Sequence, residues 1–381
     1  MRLLLLSEYF PSSEQAELKG GVEARCFSIA QELAKRHDVE VITSFQGGAR
    51  LDEVGEVIVH RVGMRHPYAS SGALLSRLSF VRAAAGKGRD LPCDIVDGCN
   101  FLSYLPAHRI ARTHGARSVA TYHDVWAGGE WLRHTGLLTG VLGELWERRA
   151  LSLPWDRIIA VSEHVRVKLS ARGIPAERVS VVPNGIDCPA LQVLQSAKSA
   201  APSICCVARL VPYKRLDVLV RAMAIVSREV PDATCHIIGT GPERHRLEHL
   251  IHEHGLSGKV TLRGFLPRHD DVLEAMKSSW VFCLPSEVEG FGISVLEALG
   301  CGTPVVCSDI PALREATGTA ATLVPPGDAT ALAAALVDHL RDGKLRARKA
   351  RDGKTHASRF DWPRIAGEVE RIYSALTGTK Q

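Results

Sequence analysis

No Asp-x-Asp occurs anywhere in the 381 residues, so the usual carboxylate pair that presents Mg²⁺ or Mn²⁺ to a diphosphate is missing. Cys-x-x-Cys is absent too, and the ten cysteines form no Cys/His cluster of the zinc-binding kind. Most of them fall in apolar runs such as Ile204-Cys205-Cys206-Val207 and Val281-Phe282-Cys283-Leu284, which reads as reduced core thiols of a cytosolic chain. No apolar run approaches the ~18 residues that a membrane span needs. The opening MRLLLLSEYF has four leucines before Ser7 and Glu8, too short for a secretory core, and is expected to be a buried first strand of a cytoplasmic protein. Lys and Arg exceed Asp and Glu by 47 to 42, but the charges are mixed along both halves, without the clustered basic face of a nucleic-acid binder.

What is present is a soluble α/β pattern, repeated. A chain of 381 residues exceeds what one hydrophobic core usually serves, so two domains are expected. Short β-branched or leucine-rich runs (2–7, 39–43, 94–97, 118–122, 157–161, 179–182) alternate with amphipathic stretches such as 22–36 and 137–153, the mark of a parallel sheet covered on both faces. The pattern breaks near Pro183 and resumes with runs at 204–208, 234–239, 260–263, 280–284, 304–307 and 323–324. The expected division is a first domain over 1–187, a linker over 188–202 and a second domain over 203–361, followed by a helix at 362–381. Two doubly wound, Rossmann-like domains of this kind would face one another across a ligand cleft.

The richest segment is PSEVEGFGISVLEALGCGTPVV, residues 285–306. Gly290-Phe291-Gly292 lets backbone approach a ligand, and a helix starting near Ile293 points unpaired N–H groups and a positive dipole end at the same place. Glu289 in the loop and Glu297 inside the helix lie close enough for both to address one anionic, hydroxyl-bearing ligand about the size of a nucleotide sugar, since Glu297 is only ~6 Å along the axis from Ile293. Arg209 and Lys214 follow the first strand of the second half and open the next helix. Two cations there can neutralise a diphosphate and stabilise it as a leaving group.

With Glu289, seven residues and Glu297, the chain resembles the retaining glycosyltransferases of family 4, which have the GT-B fold. The resemblance implies that Glu289 meets the hydroxyls of the transferred sugar, that Glu297 holds the ribose diol, and that the amides of Phe291 and Gly292 line the donor, beside Gly290 and Ile293. The family usually has Gly before the Arg and Gly after the Lys, where Ala208 and Arg215 stand in this chain. In the first half, Gly20-Gly21 before the helix at 22 can cap a phosphate or sugar oxygen. His123-Asp124 is similar to a family His-Asp motif, which implies that His123 approaches the donor sugar as a hydrogen-bond partner; Asp124 could orient its ring. Asn184-Gly185-Ile186-Asp187 matches a strand-end motif before the hinge, and the resemblance gives Gly239-Thr240-Gly241 a nucleotide contact. Arg244 occupies the third glycine position of a dinucleotide fingerprint, which argues against a nicotinamide site. Glu315 also matches a family position, with a structural role equally open.

The implied activity is transfer of a sugar from a nucleoside-diphosphate donor to a carbohydrate or lipid-linked acceptor hydroxyl, with no cofactor and no essential metal. Two alternatives stay open: a nucleotide-sugar epimerase on the same fold, and a catalytically silent partner of another transferase. Residues 73–89 place Leu74, Leu75, Leu78 and Val81 on one helical face among Arg77, Arg82, Lys87 and Arg89. The expected arrangement is a helix packed on its own sheet with a basic rim; the other reading is a helix lying on the inner face of an anionic membrane.

Overall fold

A computed structural model describes residues 1–13, 20–66 and 74–378. Among the described residues fourteen strands follow one another: β1 Arg2–Leu6, β2 Asp38–Ser44, β3 Leu51–Val54, β4 Val57–Val62, β5 Ile95–Gly98, β6 Arg117–Tyr122, β7 Arg157–Ala160 and β8 Val179–Val181, then β9 Ser203–Val207, β10 Thr234–Ile238, β11 Val260–Gly264, β12 Val281–Leu284, β13 Val305–Ser308 and β14 Thr322–Val324. They form two sheets in two compact units, the first made of Met1–Asn184 with Trp362–Gln381 and the second of Gly185–Asp361.

In the first unit the sheet order is β3-β4-β2-β1-β5-β6-β7-β8, parallel except for the β3–β4 hairpin. Leu3, Leu4, Leu5 and Leu6 of β1 are all buried, as a strand flanked by β2 and β5 requires. The hairpin was not among the expected strands. Its two-residue turn is Gly55-Glu56, with Gly55 at a φ of 61°. The last helix, Trp362–Thr377, belongs to this unit: Trp362, Ile365, Ala366, Val369 and Tyr373 join the core around β1, β2 and the helix Gly21–Ala34.

The helix Leu74–Lys87 packs against its own sheet, beside β2 and β4, as expected for residues 73–89, but not through the leucine face. It turns Phe80, Ala84 and Ala85 inward, and the backbone of Phe80 lies so close to Gly63 that a Cβ there would stand at 3.0 Å. Leu74, Leu75 and Leu78 are left exposed. Glycine at position 63 allows the close approach, whereas the leucines lie off the face that carries Phe80, Ala84 and Ala85; Ala73 falls outside the described residues.

The second unit has an all-parallel sheet in the order β11-β10-β9-β12-β13-β14. The segment read as a linker opens on a helix, Cys188–Val193, capped by Asp187 Oδ1 accepting from the Ala190 amide at 2.9 Å. Leu191 is buried against Gly300, where an added Cβ would come within 2.5 Å of Leu191 Cδ1. A contact this close makes 188–193 part of the second unit's packing. All ten cysteines are free thiols, and nine are buried. No described helix is long and apolar enough to cross a membrane.

Candidate functional site

In an open parallel sheet, ligands bind outside the carboxyl ends of the strands where the strand order reverses. In the second unit that point lies between β9 and β12, which are neighbours in the sheet. The loop after β9 carries Arg209 and Lys214, the loop after β12 carries Glu289, and the Glu287 amide donates to the Tyr213 carbonyl at 2.9 Å to tie the loops together. Lys214 Nζ donates to Glu289 Oε1 at 2.6 Å, with the two side chains only 13% and 10% exposed. Arg209 Nη2 donates to the Tyr213 hydroxyl at 2.7 Å. The cations are expected at the diphosphate, and the resemblance gives Glu289 the sugar; the fold pairs one of those cations directly with that carboxylate.

The helix Ile293–Gly300 starts beside them. Gly292 caps it in the left-handed region at a φ of 99°, a conformation that favours glycine, with no side chain capping the exposed amides. Phe291 is buried with its ring 6.0 Å from that of Phe360, so only its backbone is available to a ligand. Ile293 and Gly290 are half-buried at the same corner. Glu297, further along the helix, pairs with His269 Nε2 at 3.0 Å and not with the Lys214–Glu289 cluster.

Arg215 adopts a φ of 49° and a ψ of 40°, the one positive-φ non-glycine among the described residues. This is the position where the resemblance leads one to expect glycine. Its guanidinium is held by Asp217 at 3.2 Å and by Glu287, so it is a strained surface tie. Gly239 and Gly241 have a packing role: a Cβ on either would fall 2.0 Å from the Ala208 carbonyl oxygen or 2.3 Å from that of Leu210. Glu315 is half-buried on the helix Pro311–Thr317.

In the first unit, Gly20 caps the helix Gly21–Ala34 in an extended conformation that any residue adopts, and both glycines are exposed. Residues 14–19 of the preceding loop lie outside the described residues. His123 follows β6. Burial, then the charge of Arg25, pushes its imidazole down to about 3, so it is neutral at any working pH and offers a hydrogen bond, not a proton. Its Nε2 and Arg25 Nη2 are buried without a hydrogen-bond partner among the described residues, and both residues line a cavity of about 10 Å³, room for about one water. Asp124 does not orient the His123 ring. It accepts from Trp126 Nε1 at 2.8 Å and from Lys168 Nζ at 2.5 Å instead, because its side chain turns towards the helix Glu163–Ser170.

Sequence reasoning missed the polar layer beneath His123. Asp97 on β5 accepts from the Tyr373 hydroxyl at 2.7 Å and from Thr121 Oγ1 at 2.9 Å, while Arg25 donates to Asn184 Oδ1 at 3.1 Å. Burial drags Arg25 down to about 10 and lifts Asp97 above the usual carboxylate range. Asp97 and Tyr373 alone are 276 positions apart, and no local pattern joins the members of this layer.

Two family profiles match the chain: Glycosyltransferase Family 4 over residues 19–189 and Glycosyl transferases group 1 over residues 195–356. The chain belongs to the group 1 glycosyltransferases of family 4. It is 34% identical to a phosphatidyl-myo-inositol mannosyltransferase of Mycobacterium leprae over 60% of its own length and 63% of that protein, and so spans less than two thirds of that relative. It is 26% identical, over the whole of both chains, to a GDP-mannose-dependent alpha-(1-6)-phosphatidylinositol monomannoside mannosyltransferase of Mycolicibacterium smegmatis. Among solved structures, sucrose-phosphate synthase from Thermosynechococcus elongatus superposes with a TM-score of 0.83 at 21% identity over 100% of both chains, a likeness of fold. The fold is that of the GT-B glycosyltransferases.

Proposed function

We propose that this group 1 glycosyltransferase is a retaining, metal-independent hexosyltransferase that moves a sugar from a UDP- or GDP-sugar to an acceptor hydroxyl in glycan, glycolipid or surface-polysaccharide synthesis. The observation that carries the reading is the Lys214–Glu289 pair at the strand-order reversal of the second unit, beside the glycine-capped start of the helix that holds Glu297. Arg209 and Lys214 neutralise the diphosphate as the glycosidic bond breaks, which stabilises the leaving group without a divalent ion. Glu289 takes the sugar hydroxyls and Glu297 the ribose diol; Gly239 and Gly241 belong to the nucleotide edge by resemblance. His123 with Gly20 and Gly21 belongs to the sugar end, and the neutral imidazole contributes a hydrogen bond. No carboxylate stands out as a nucleophile beneath the anomeric carbon, and the resemblance to the family suggests a front-face mechanism in which the departing diphosphate helps deprotonate the acceptor.

The mannosyltransferase relatives favour mannose and a lipid-linked acceptor. Exposed Leu74, Leu75 and Leu78 near exposed Arg82 and Arg89 support docking on an anionic lipid surface at the inner face of the membrane. The test is transfer from UDP- and GDP-hexoses to a lipid extract, with and without EDTA. The reading expects acceptor-dependent release of nucleoside diphosphate, survival in EDTA and an α-linked product from an α-linked donor. Conversion of donor without acceptor, or turnover that EDTA abolishes and Mg²⁺ restores, contradicts it.

A further inference from the structure

His269 opens the helix His269–Ser278, a position where the helix dipole disfavours a cation. Nothing in its local sequence, PRHDDV, marks it. The fold nevertheless sets its Nε2 3.0 Å from Glu297 Oε1, with His269 39% exposed and Glu297 14%. Three carboxylates act on the ring's charge: Glu297 from the helix Ile293–Gly300, in direct contact, and, through their fields, Asp270 from its own helix and Asp187 from the turn before the helix Cys188–Val193. No other side chain among the described residues pairs with Glu297.

We propose that His269 is a positioning residue that holds the Glu297 carboxylate for the ribose diol and makes nucleotide affinity depend on pH. The inference rests on the reading of Glu297 as the ribose ligand. A carboxylate offers about four acceptor directions, so one contact from imidazolium leaves room for two vicinal hydroxyls while fixing the rotamer. Burial opposes the charged ring, but Glu297 outweighs it, and the net effect raises His269 above its ordinary value. The hold is therefore full below that raised value and weakens as pH climbs through it, because a neutral imidazole gives a hydrogen bond without charge assistance.

The experiment is calorimetric titration with UDP, GDP and 2′-deoxy-UDP between pH 6 and 9, on wild type, His269→Ala, His269→Gln and Glu297→Gln, each checked for an unchanged melting temperature. Ratios to His269→Gln cancel the phosphate's own titration. Wild-type affinity should fall relative to His269→Gln by about fivefold with rising pH, the size expected when a hydrogen bond loses its charge assistance. His269→Ala should bind about fivefold more weakly at pH 6, and 2′-deoxy-UDP should erase most of that difference. If Glu297→Gln binds weakly while both His269 variants follow wild type at every pH, the inference is wrong and the ribose reading stands. If Glu297→Gln binds as wild type does, or if neither UDP nor GDP binds, the ribose reading falls and the inference with it.

Discussion

Lys214→Met should separate the two roles that the structure gives one lysine. Its ammonium lies 2.6 Å from Glu289 in a pair that is 13% and 10% exposed, so removing it leaves a nearly buried carboxylate without its counter-ion. Losing one member of such a pair costs up to about 3–5 kcal/mol when fully buried, and the residual exposure here lowers the expectation to about 2–3 kcal/mol. Adding Glu289→Gln to Lys214→Met removes the stranded charge and should restore most of that stability. Catalysis should not follow: without the cation, the leaving diphosphate loses about 2–4 kcal/mol of transition-state stabilisation, roughly 30- to 1,000-fold in rate. Urea unfolding of the two single variants and the double variant, beside single-turnover transfer, reads both quantities. A double variant no more stable than Lys214→Met, or a Lys214→Met enzyme within twofold of the wild-type rate, would refute the reasoning.

Other outcomes follow from residues outside that pair. Arg215→Gly trades about 1–2 kcal/mol of left-handed backbone cost against two part-exposed ion pairs worth about 0–1 kcal/mol each, so stability should stay within ~1 kcal/mol of wild type; a loss above 2 kcal/mol in urea would mean that the ties to Asp217 and Glu287 dominate. Burial pushes Glu147 from its ordinary 4.5 up to about 7, against the hydrogen bond it accepts from Trp131 Nε1 at 2.6 Å. The native state then holds that proton more tightly than the unfolded chain, so stability falls as pH rises from about 4.5 to about 7, by on the order of 3 kcal/mol. Glu147→Gln should flatten that slope, and unfolding curves at pH 5 and pH 8 with an unchanged slope would contradict the assignment. Leu75, 78% exposed on the helix Leu74–Lys87, should matter to lipid and not to folding. Leu75→Glu is expected to lower sedimentation with anionic vesicles several-fold at an unchanged melting temperature, and equal sedimentation would remove that face from the proposal.

The sheets were legible because β-branched and leucine runs alternate with helical periodicity, as in 2–7 against β1 Arg2–Leu6 and 234–239 against β10 Thr234–Ile238. The hairpin of β3 and β4 escaped because its charged residues, Asp52, Glu53 and Glu56, hide a short alternation around Gly55. Leucine spacing points to one face of the helix Leu74–Lys87, whereas its packing turns Phe80, Ala84 and Ala85 inward, with Gly63 admitting the helix backbone at Phe80. Within the site, Glu289, Gly292 and Glu297 stand out because loop, cap and helix are contiguous in sequence. Their partners do not: Lys214 is 75 positions from Glu289, and His269 reaches Glu297 from a different helix. Arg25, Asp97 and Tyr373 lie in three elements with no spacing in common, so only the fold brings them beneath His123.

The division of a nucleotide sugar between Glu289 and Glu297 is tested most directly by measuring two quantities on two variants. Glu289→Gln and Glu297→Gln would each be titrated with the free nucleoside diphosphate and assayed for turnover of the whole donor. Glu289→Gln should slow transfer while binding the diphosphate nearly as wild type does, because the sugar it serves is absent from that ligand. Glu297→Gln should lose roughly 1.5–3 kcal/mol of diphosphate affinity, the worth of charge-assisted hydrogen bonds to the ribose. Equal loss of diphosphate affinity in the two variants would contradict the assignment of the acids to opposite ends of the donor.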